Sequence, residues 1–402
     1  LLKPFPVNLF LKLYFCHAQR YIGAKILFPL SNLYVHIEKL TLSCFKNHSD
    51  VSFDFSSGVN CIHGSNGAGK TNILDAIYFL GNGRSYFSRI DQQSIPFELE
   101  FARFQGTFEH NDVRAEHLIV LQNSGKKSIE RNGSVVRKLS DIVGRIPIVI
   151  ITPGDIQLII GASDERRRFI DRAIAMMNPA YVSHLQRYNK LLLMRNELLK
   201  KFAMDRHVDE LALESIDVQL IPEGDAIYAL RTPFVEKLST QVSEIYEWLS
   251  NSKEEARVAY SSGLFQTNMA ALLEQQKRTD LASQRTSLGV HRDDLDLSLD
   301  DIDIRKFGSQ GQIKTFTISL HLAIFRILSK ELDIMPILLL DDIYEKIDDE
   351  RAAKLMNLIS GNGYGQIFIT DTSLNRMVDQ LINIDAEKKF FNIERAKGTI
   401  DS

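Results

Sequence analysis

The stretch Gly64-Ser65-Asn66-Gly67-Ala68-Gly69-Lys70-Thr71 decides the fold. It fits G-x-x-x-x-G-K-[ST], a pattern that chance supplies roughly once in a hundred chains of this length. Before it, Val59–His63 is short and largely apolar, as a strand is. After it, residues 72–80 carry apolar side chains at helical spacing. Strand, glycine loop and helix in that order make an anion cradle, because glycines let backbone N–H groups turn inward and the helix adds the positive end of its dipole. On this reading Gly64, Ser65, Asn66, Gly67, Ala68, Gly69, Lys70 and Thr71 bind ATP. Lys70 reaches the β- and γ-phosphates, and Thr71 offers its hydroxyl to Mg²⁺. The alternative is a glycine-rich αβ turn with no ligand.

A second stretch completes the site. Pro336-Ile337-Leu338-Leu339-Leu340-Asp341-Asp342 is an apolar strand ending in two carboxylates, the form that sits beside a phosphate loop. Asp341 is the metal-side acid. Asp342 is placed to orient or polarise an attacking water, the catalytic role beside Lys70; the alternative for Asp342 is a helix cap or loop anchor. The two motifs lie about 270 residues apart, which argues against a small P-loop kinase or GTPase. Between them, Ser309-Gln310-Gly311-Gln312 stands just before a helix expected over residues 316–328. A serine, a glycine and free N–H groups at a helix start can bind a γ-phosphate. The chain already has one complete loop, so Ser309, Gly311 and Gln312 are expected to serve a partner's ATP, with two protomers sandwiching two nucleotides.

Composition allows this. The chain has 402 residues, 44% hydrophobic and 25% charged, enough for two or three domains, or one domain with an inserted lobe, and a large core. Its net charge of −3 and pI near 6.4 mean that any nucleic-acid contact must come from a local basic surface. Cys16, Cys44 and Cys61 lie far apart without metal-ligand spacing, as in a protein of the reducing cytoplasm. Residues 1–32 are apolar but broken by Lys3, Lys12, Arg20 and Lys25, so no run reaches the 18 or more residues of a membrane span. We read them as a disordered upstream extension and expect the folded protein to begin near Leu33.

From there, residues 33–42 and 50–55 alternate as strands and are expected to form the antiparallel start of the sheet that contains the loop strand. Asn132-Gly133 predicts a hairpin turn. The nearby Lys126, Lys127, Arg131, Arg137 and Lys138 suit either DNA or a solvated strand edge. Helical texture over 163–201 and again to Trp248, with Pro222 and Pro233 marking turns or kinks, predicts an inserted lobe whose helices are too short and interrupted for a long coiled coil. Asp300–Asp303 reads as an acidic hairpin turn, with metal binding as the alternative. The organisation is therefore 33–154 for the first part of an ATPase lobe, 155–255 for an inserted α-helical lobe and 256–402 for the second part of the ATPase lobe.

Several motifs in a fixed order carry a family resemblance. Besides the phosphate loop these are Gly83-Arg84-Ser85, Pro153-Gly154-Asp155, Asp164 through Asp171, His291-Arg292-Asp293-Asp294, Ser309–Gln312 and Leu339–Asp342. Over about residues 33–395 the chain resembles the RecF family, bacterial recombination and gap-repair ATPases of the ABC/SMC head class. The implied fold class is α/β, an ABC/SMC-head P-loop ATPase with a mixed β-sheet lobe and an inserted α-helical lobe. The resemblance implies dimerisation on ATP, binding of double-stranded DNA near single-strand/double-strand junctions, and slow hydrolysis that releases it. It implies roles in replication-fork maintenance, recombinational repair and the SOS response with RecR and RecO, in the cytoplasm and away from membranes.

Departures are visible. Glu345-Lys346-Ile347-Asp348 stands where the family usually has Ser-Glu-Leu-Asp, and Gly154 where Glu is common. Ile367–Thr372 lacks the switch histidine of transporter ATPases, which disfavours a transporter subunit; an ABC-headed nuclease would need a further acidic metal domain. Gln92 and Gln93 are the Q-loop candidates. Arg166-Arg167-Arg168 suits DNA contact or internal pairing with Asp164, Glu165 and Asp171.

Overall fold

The computed structural model describes residues 34–251, 254–343, 349–360, 365–382, 384, 386–394 and 397–399. Residues 1–32 and Glu345–Asp348, on which two of the expectations above fall, lie outside them.

The first strands are β1 (Val35–Phe45) and β2 (His48–Asp54), followed by β3 (Val59–His63) and helix α1 (Lys70–Asn82). Next come β4 (Phe101–His110), β5 (Val113–Gln122), β6 (Lys127–Arg131), β7 (Ser134–Val135) and β8 (Ile148–Ile151). The Asn132-Gly133 hairpin forms with both residues at positive φ, 49° and 73°, as a primed turn requires.

Contrary to the single sheet expected, β1 and β2 do not join β3. They belong to an antiparallel sheet of order β2-β1-β4-β5-β6-β7. The reason is legible in burial. β1 buries every second residue along most of its length, whereas all five residues of β3 are buried, so β3 must lie inside a sheet covered on both faces.

The middle of the chain is helical: α2 (Ser163–Met177), α3 (Pro179–Asp205) and α4 (Glu210–Ser250). The expectation of short, interrupted helices is corrected by α4, which runs 41 residues through Pro222 and Pro233. Each proline removes one backbone hydrogen bond, yet the buried stripe Leu220, Ile227, Phe234, Leu238, Val242 and Ile245 continues across both. Tertiary packing outweighs the local loss. Buried charge ties this region together: Arg195 meets Asp217 and Asp280 at 2.6 Å each, and Arg231 meets Asp171 at 2.9 Å.

Beyond it lie β9 (Ala256–Ser261), α5 (Met269–Ser283), β10 (Asp294–Leu299) and β11 (Ile302–Asp303). These three strands form a small antiparallel sheet, and the acidic run makes the β10–β11 turn with Asp300 and Asp301 at positive φ. Helix α6 (Gln310–Leu332) starts six residues earlier than expected, because Ser309 and Gln312 form a reciprocal capping box. The chain continues through β12 (Ile337–Leu340), α7 (Asp349–Ser360), β13 (Ile367–Asp371), α8 (Leu374–Leu381), β14 (Lys388–Glu394) and β15 (Lys397–Thr399).

The second large sheet has order β15-β14-β3-β13-β12-β8 and is parallel apart from β15. It divides two cores. Ile62, Ile148, Ile150, Ile337, Leu339 and Phe368 face α1 and the antiparallel sheet. Cys61, Val149, Ile151, Leu338, Leu340 and Ile369 face α6 and the helical region. Among the described residues no helix is long and apolar enough to cross a membrane.

Candidate nucleotide-binding site

The loops at the carboxyl ends of the adjacent strands β3, β13 and β12 leave the same end of the parallel sheet, where open α/β sheets bind ligands. Gly64–Thr71 leaves β3 there. Gly69 has φ 109°, and a Cβ on it would lie 2.5–2.6 Å from the side chains of Asn47 and His48, so only glycine fits. A Cβ on Gly64 would lie 2.2 Å from the Ile393 carbonyl of β14. The loop is thus pinned from both sides without a side chain of its own in the way.

Lys70, the first residue of α1, is 4% exposed and donates to the carbonyls of Gly64 (2.9 Å) and Ser65 (3.3 Å). Its ammonium therefore points into the loop it would serve. The Thr71 hydroxyl donates to both carboxylate oxygens of Asp341, at 2.9 and 3.0 Å. Asp341 also accepts from the Thr370 hydroxyl at 2.8 Å. Burial pushes the Asp341 carboxyl above its ordinary value, against the pull of Thr370, Thr71 and Lys70. A hydroxyl and a carboxylate are hard oxygen donors of the kind Mg²⁺ takes together with phosphate and water. The donor set fits that ion.

Asp342 sits in the left-handed region, φ 43°, a conformation Asp tolerates better than most residues, and its N–H donates to Thr370 Oγ1 at 2.9 Å. Thr370 thus fixes both members of the acid pair. It lies on β13, the strand between β3 and β12. Nothing in the isolated run Ile367–Thr372 signals this role; only strand order reveals it.

Sequence reasoning also missed the clamp from the other sheet. In the β1–β2 turn, Asn47 donates to the Ala68 carbonyl at 2.8 Å and accepts from Asn72 at 2.7 Å. His48 meets the Gly69 carbonyl at 3.1 Å, and burial lowers its pKa, so the ring is neutral there. Helix α1 is held at its side as well: buried Asp75 receives Lys46 at 2.6 Å and the Ser85 hydroxyl at 2.7 Å.

The signature segment stands apart within one protomer. Ser309 caps α6, accepting from Gln312 N–H at 3.2 Å, while the Gln312 side chain returns to Ser309 N–H and also donates to Glu254 at 2.6 Å. Among the described residues no hydrogen bond joins Ser309, Gly311 or Gln312 to the Gly64–Thr71 loop. Gln92 and Gln93 lie in a short 3₁₀ turn whose Ser94 carbonyl accepts from Lys46 N–H. The tribasic run is largely engaged internally: Arg166 grips Asp294 at 2.6 and 3.0 Å, Arg167 donates to the Asp293 carbonyl, and Arg168 pairs with Asp164 and Glu165. Asp171 pairs with Arg231 instead. In the other basic cluster, Lys127 pairs with Asp91 at 2.6 Å.

Residues 36–392 match the family model described as RecF/RecN/SMC N terminal domain. The chain is 38% identical over 359 residues to the DNA replication and repair protein RecF of Flavobacterium johnsoniae, covering 89% of this chain and 100% of that one. It is 38% identical over 363 residues to the RecF of Porphyromonas gingivalis, 90% and 99%. Among solved structures, the recombination mediator protein RecF–ATP of the RecFOR pathway superposes with a TM-score of 0.83 at 28% identity, over 92% of this chain and 98% of that one. The Smc head domain from Pyrococcus furiosus follows the same fold, with a TM-score of 0.54 at 20% identity. The architecture is that of an ABC/SMC-head ATPase.

Proposed function

The chain belongs to the RecF family, and from that premise we propose that it is an ATP-gated DNA-binding protein of recombinational repair, replication-fork maintenance and SOS induction. The observation that carries the reading is the meeting of Thr71 with Asp341 beside a buried Lys70, within a glycine loop that admits no other residue at Gly69. These residues make a phosphate and Mg²⁺ site and serve no other evident purpose.

The roles divide as follows. Lys70 and the N–H groups of Gly64–Thr71 hold the triphosphate. Thr71 and Asp341 hold Mg²⁺, which supplies positive charge against the phosphate oxygens when bound. Asp342 orients the attacking water. Ser309, Gly311 and Gln312 reach the partner's nucleotide, so that hydrolysis requires a dimer. The capping box of Ser309 and Gln312 supports a preformed helix start.

Dimerisation on ATP then creates the DNA-binding form, which we place on double-stranded DNA at single-strand/double-strand junctions. The same reading assigns RecR and RecO as partners and the cytoplasm as location. Sedimentation with and without ATP and gapped DNA tests it. ATP together with Mg²⁺ is expected to convert monomer to dimer, and gapped DNA to co-sediment with the dimer alone. DNA binding that is indifferent to ATP would overturn the reading.

A further inference from the structure

A cavity of about 260 Å³ lies between the end of α1 and helices α2 and α3, and its lining includes none of the phosphate loop's own residues. Its lining includes apolar Leu139, Val143 and Val182 together with Arg84, Arg168 and Arg172. The three arginines are not equivalent. Arg168 is already engaged by Asp164 and Glu165. The lining carboxylate Asp171 is likewise committed, to Arg231 at 2.9 Å and to the Tyr181 hydroxyl at 2.6 Å. These charges cancel locally.

Arg84 and Arg172 remain. Among the described residues neither has a carboxylate within ion-pair distance or a hydrogen-bond partner. For exposed Arg84 that is ordinary. For Arg172 it is not, because it is partly buried and its guanidinium lies 4.6 Å from the centre of the Tyr86 ring. Among the described residues the four buried arginines have carboxylates: Arg166 has Asp294, Arg195 has Asp217 and Asp280, Arg231 has Asp171, and Arg326 has Glu244; Arg172 shares its lack of one with the partly buried Arg131 and Arg167. A guanidinium withdrawn from bulk water without an anion costs free energy that one aromatic face offsets only in part. Arg172 also lines the cavity. Asn82 and Asn189 add amide groups to the same lining.

We propose that this cavity is a second anion site, separate from the nucleotide loop, that takes the terminal phosphoryl group of a phosphomonoester. Two guanidiniums without an ion-paired carboxylate suit the charge of about −1.5 to −2 that such a group carries near pH 7. The volume falls just below the roughly 300–1,000 Å³ of pockets that enclose drug-sized ligands, which suits a phosphoryl head and part of its substituent. The apolar lining residues accommodate that substituent. The phosphomonoester has two sources, a small free one or the phosphorylated end of a nucleic-acid strand.

The test is calorimetric titration of AMP into the full chain and into Arg172→Gln, Arg84→Ala and Lys70→Ala. A binding event that survives Lys70→Ala but weakens on the order of 10–100-fold in Arg84→Ala and Arg172→Gln is the expected result. Arg84 is exposed, so its variant carries the test even where Arg172→Gln folds poorly. No AMP binding outside the Lys70-dependent site, or binding unchanged in Arg84→Ala, overturns the proposal. A parallel pair of 5′-phosphorylated and 5′-hydroxyl oligonucleotide duplexes names the source. A preference for the phosphorylated strand that Arg84→Ala abolishes assigns a nucleic-acid end; equal affinities alongside Arg84-dependent AMP binding assign the free phosphomonoester.

Discussion

The hydroxyl of Thr71 donates to both oxygens of Asp341, at 2.9 and 3.0 Å, across 270 residues of chain. Asp341 is 4% exposed and its folded pKa is raised by burial. A raised carboxyl pKa means that its contribution to stability is fully present below the unfolded value, about 3.9, and is lost as pH rises through the folded value. Asp341→Asn is therefore expected to melt no lower than the parent at pH 8 while losing Mg²⁺-dependent ATP binding. Calorimetric scans at pH 4 and pH 8 check it; a variant that is markedly less stable only at pH 8 contradicts the sign. In the parent, Mg²⁺·ATP affinity should fall on acidification at a higher pH than an ordinary carboxylate would dictate.

Lys70 makes charge-assisted bonds to two loop carbonyls that it must exchange for phosphate oxygens. Lys70→Ala should leave the fold intact by circular dichroism and lower ATP affinity by on the order of 10–100-fold or more. Filter binding at near-parental ATP affinity would remove Lys70 from the site.

Asn47 joins the antiparallel sheet to the loop by bonds at 2.8 Å to Ala68 and 2.7 Å from Asn72. Asn47→Ala should cost about 1 kcal/mol in stability and weaken nucleotide binding more than that loss alone accounts for. Denaturant unfolding with and without ATP separates the two: a stability loss with an unchanged ATP-induced shift would make Asn47 a packing residue only.

Asp342 holds its strained φ of 43° through a backbone bond to Thr370. Asp342→Asn is expected to bind ATP and dimerise but to hydrolyse it about 10²-fold or more slowly, so that the dimer stays longer on DNA. Steady-state phosphate release is the measurement, and parental turnover would leave Asp342 a loop anchor.

Ser309 has a capping role whose loss typically costs about 1 kcal/mol, so the cross-dimer role needs a separate readout. Ser309→Arg should keep monomer ATP affinity while ATP-induced dimerisation, hydrolysis and stable DNA binding fail together. Mixing Ser309→Arg with Lys70→Ala should restore part of the ATPase, since one composite site then pairs an intact loop with an intact Ser309. Dimerisation by Ser309→Arg alone, with no rescue on mixing, would rule out the partner contact.

Sequence determined what depends on short, fixed spacings. The phosphate loop needs its glycines at set positions, the metal strand is an unbroken apolar run ending in acid, and Asn132-Gly133 can hardly be anything but a primed turn. The family order of motifs was legible for the same reason. Tertiary structure decided what depends on which strands become neighbours. Periodicity showed that β1, β2 and β3 are strands but could not assign them to different sheets, because the pattern within a strand says which face is buried and nothing about what lies beside it. Pro222 and Pro233 signalled breaks that the packing of α4 overrode. Thr370 and Asn47 looked like ordinary strand and turn residues until the sheet order set one under Asp341 and the other against Ala68. Arg172 belonged to a run of charges at helical spacing, and only the fold shows that its neighbours Arg166 and Arg168 have carboxylates while it faces a cavity. Contacts between residues so far apart in the chain are fixed by the global minimum of packing and polar satisfaction, which no local window contains.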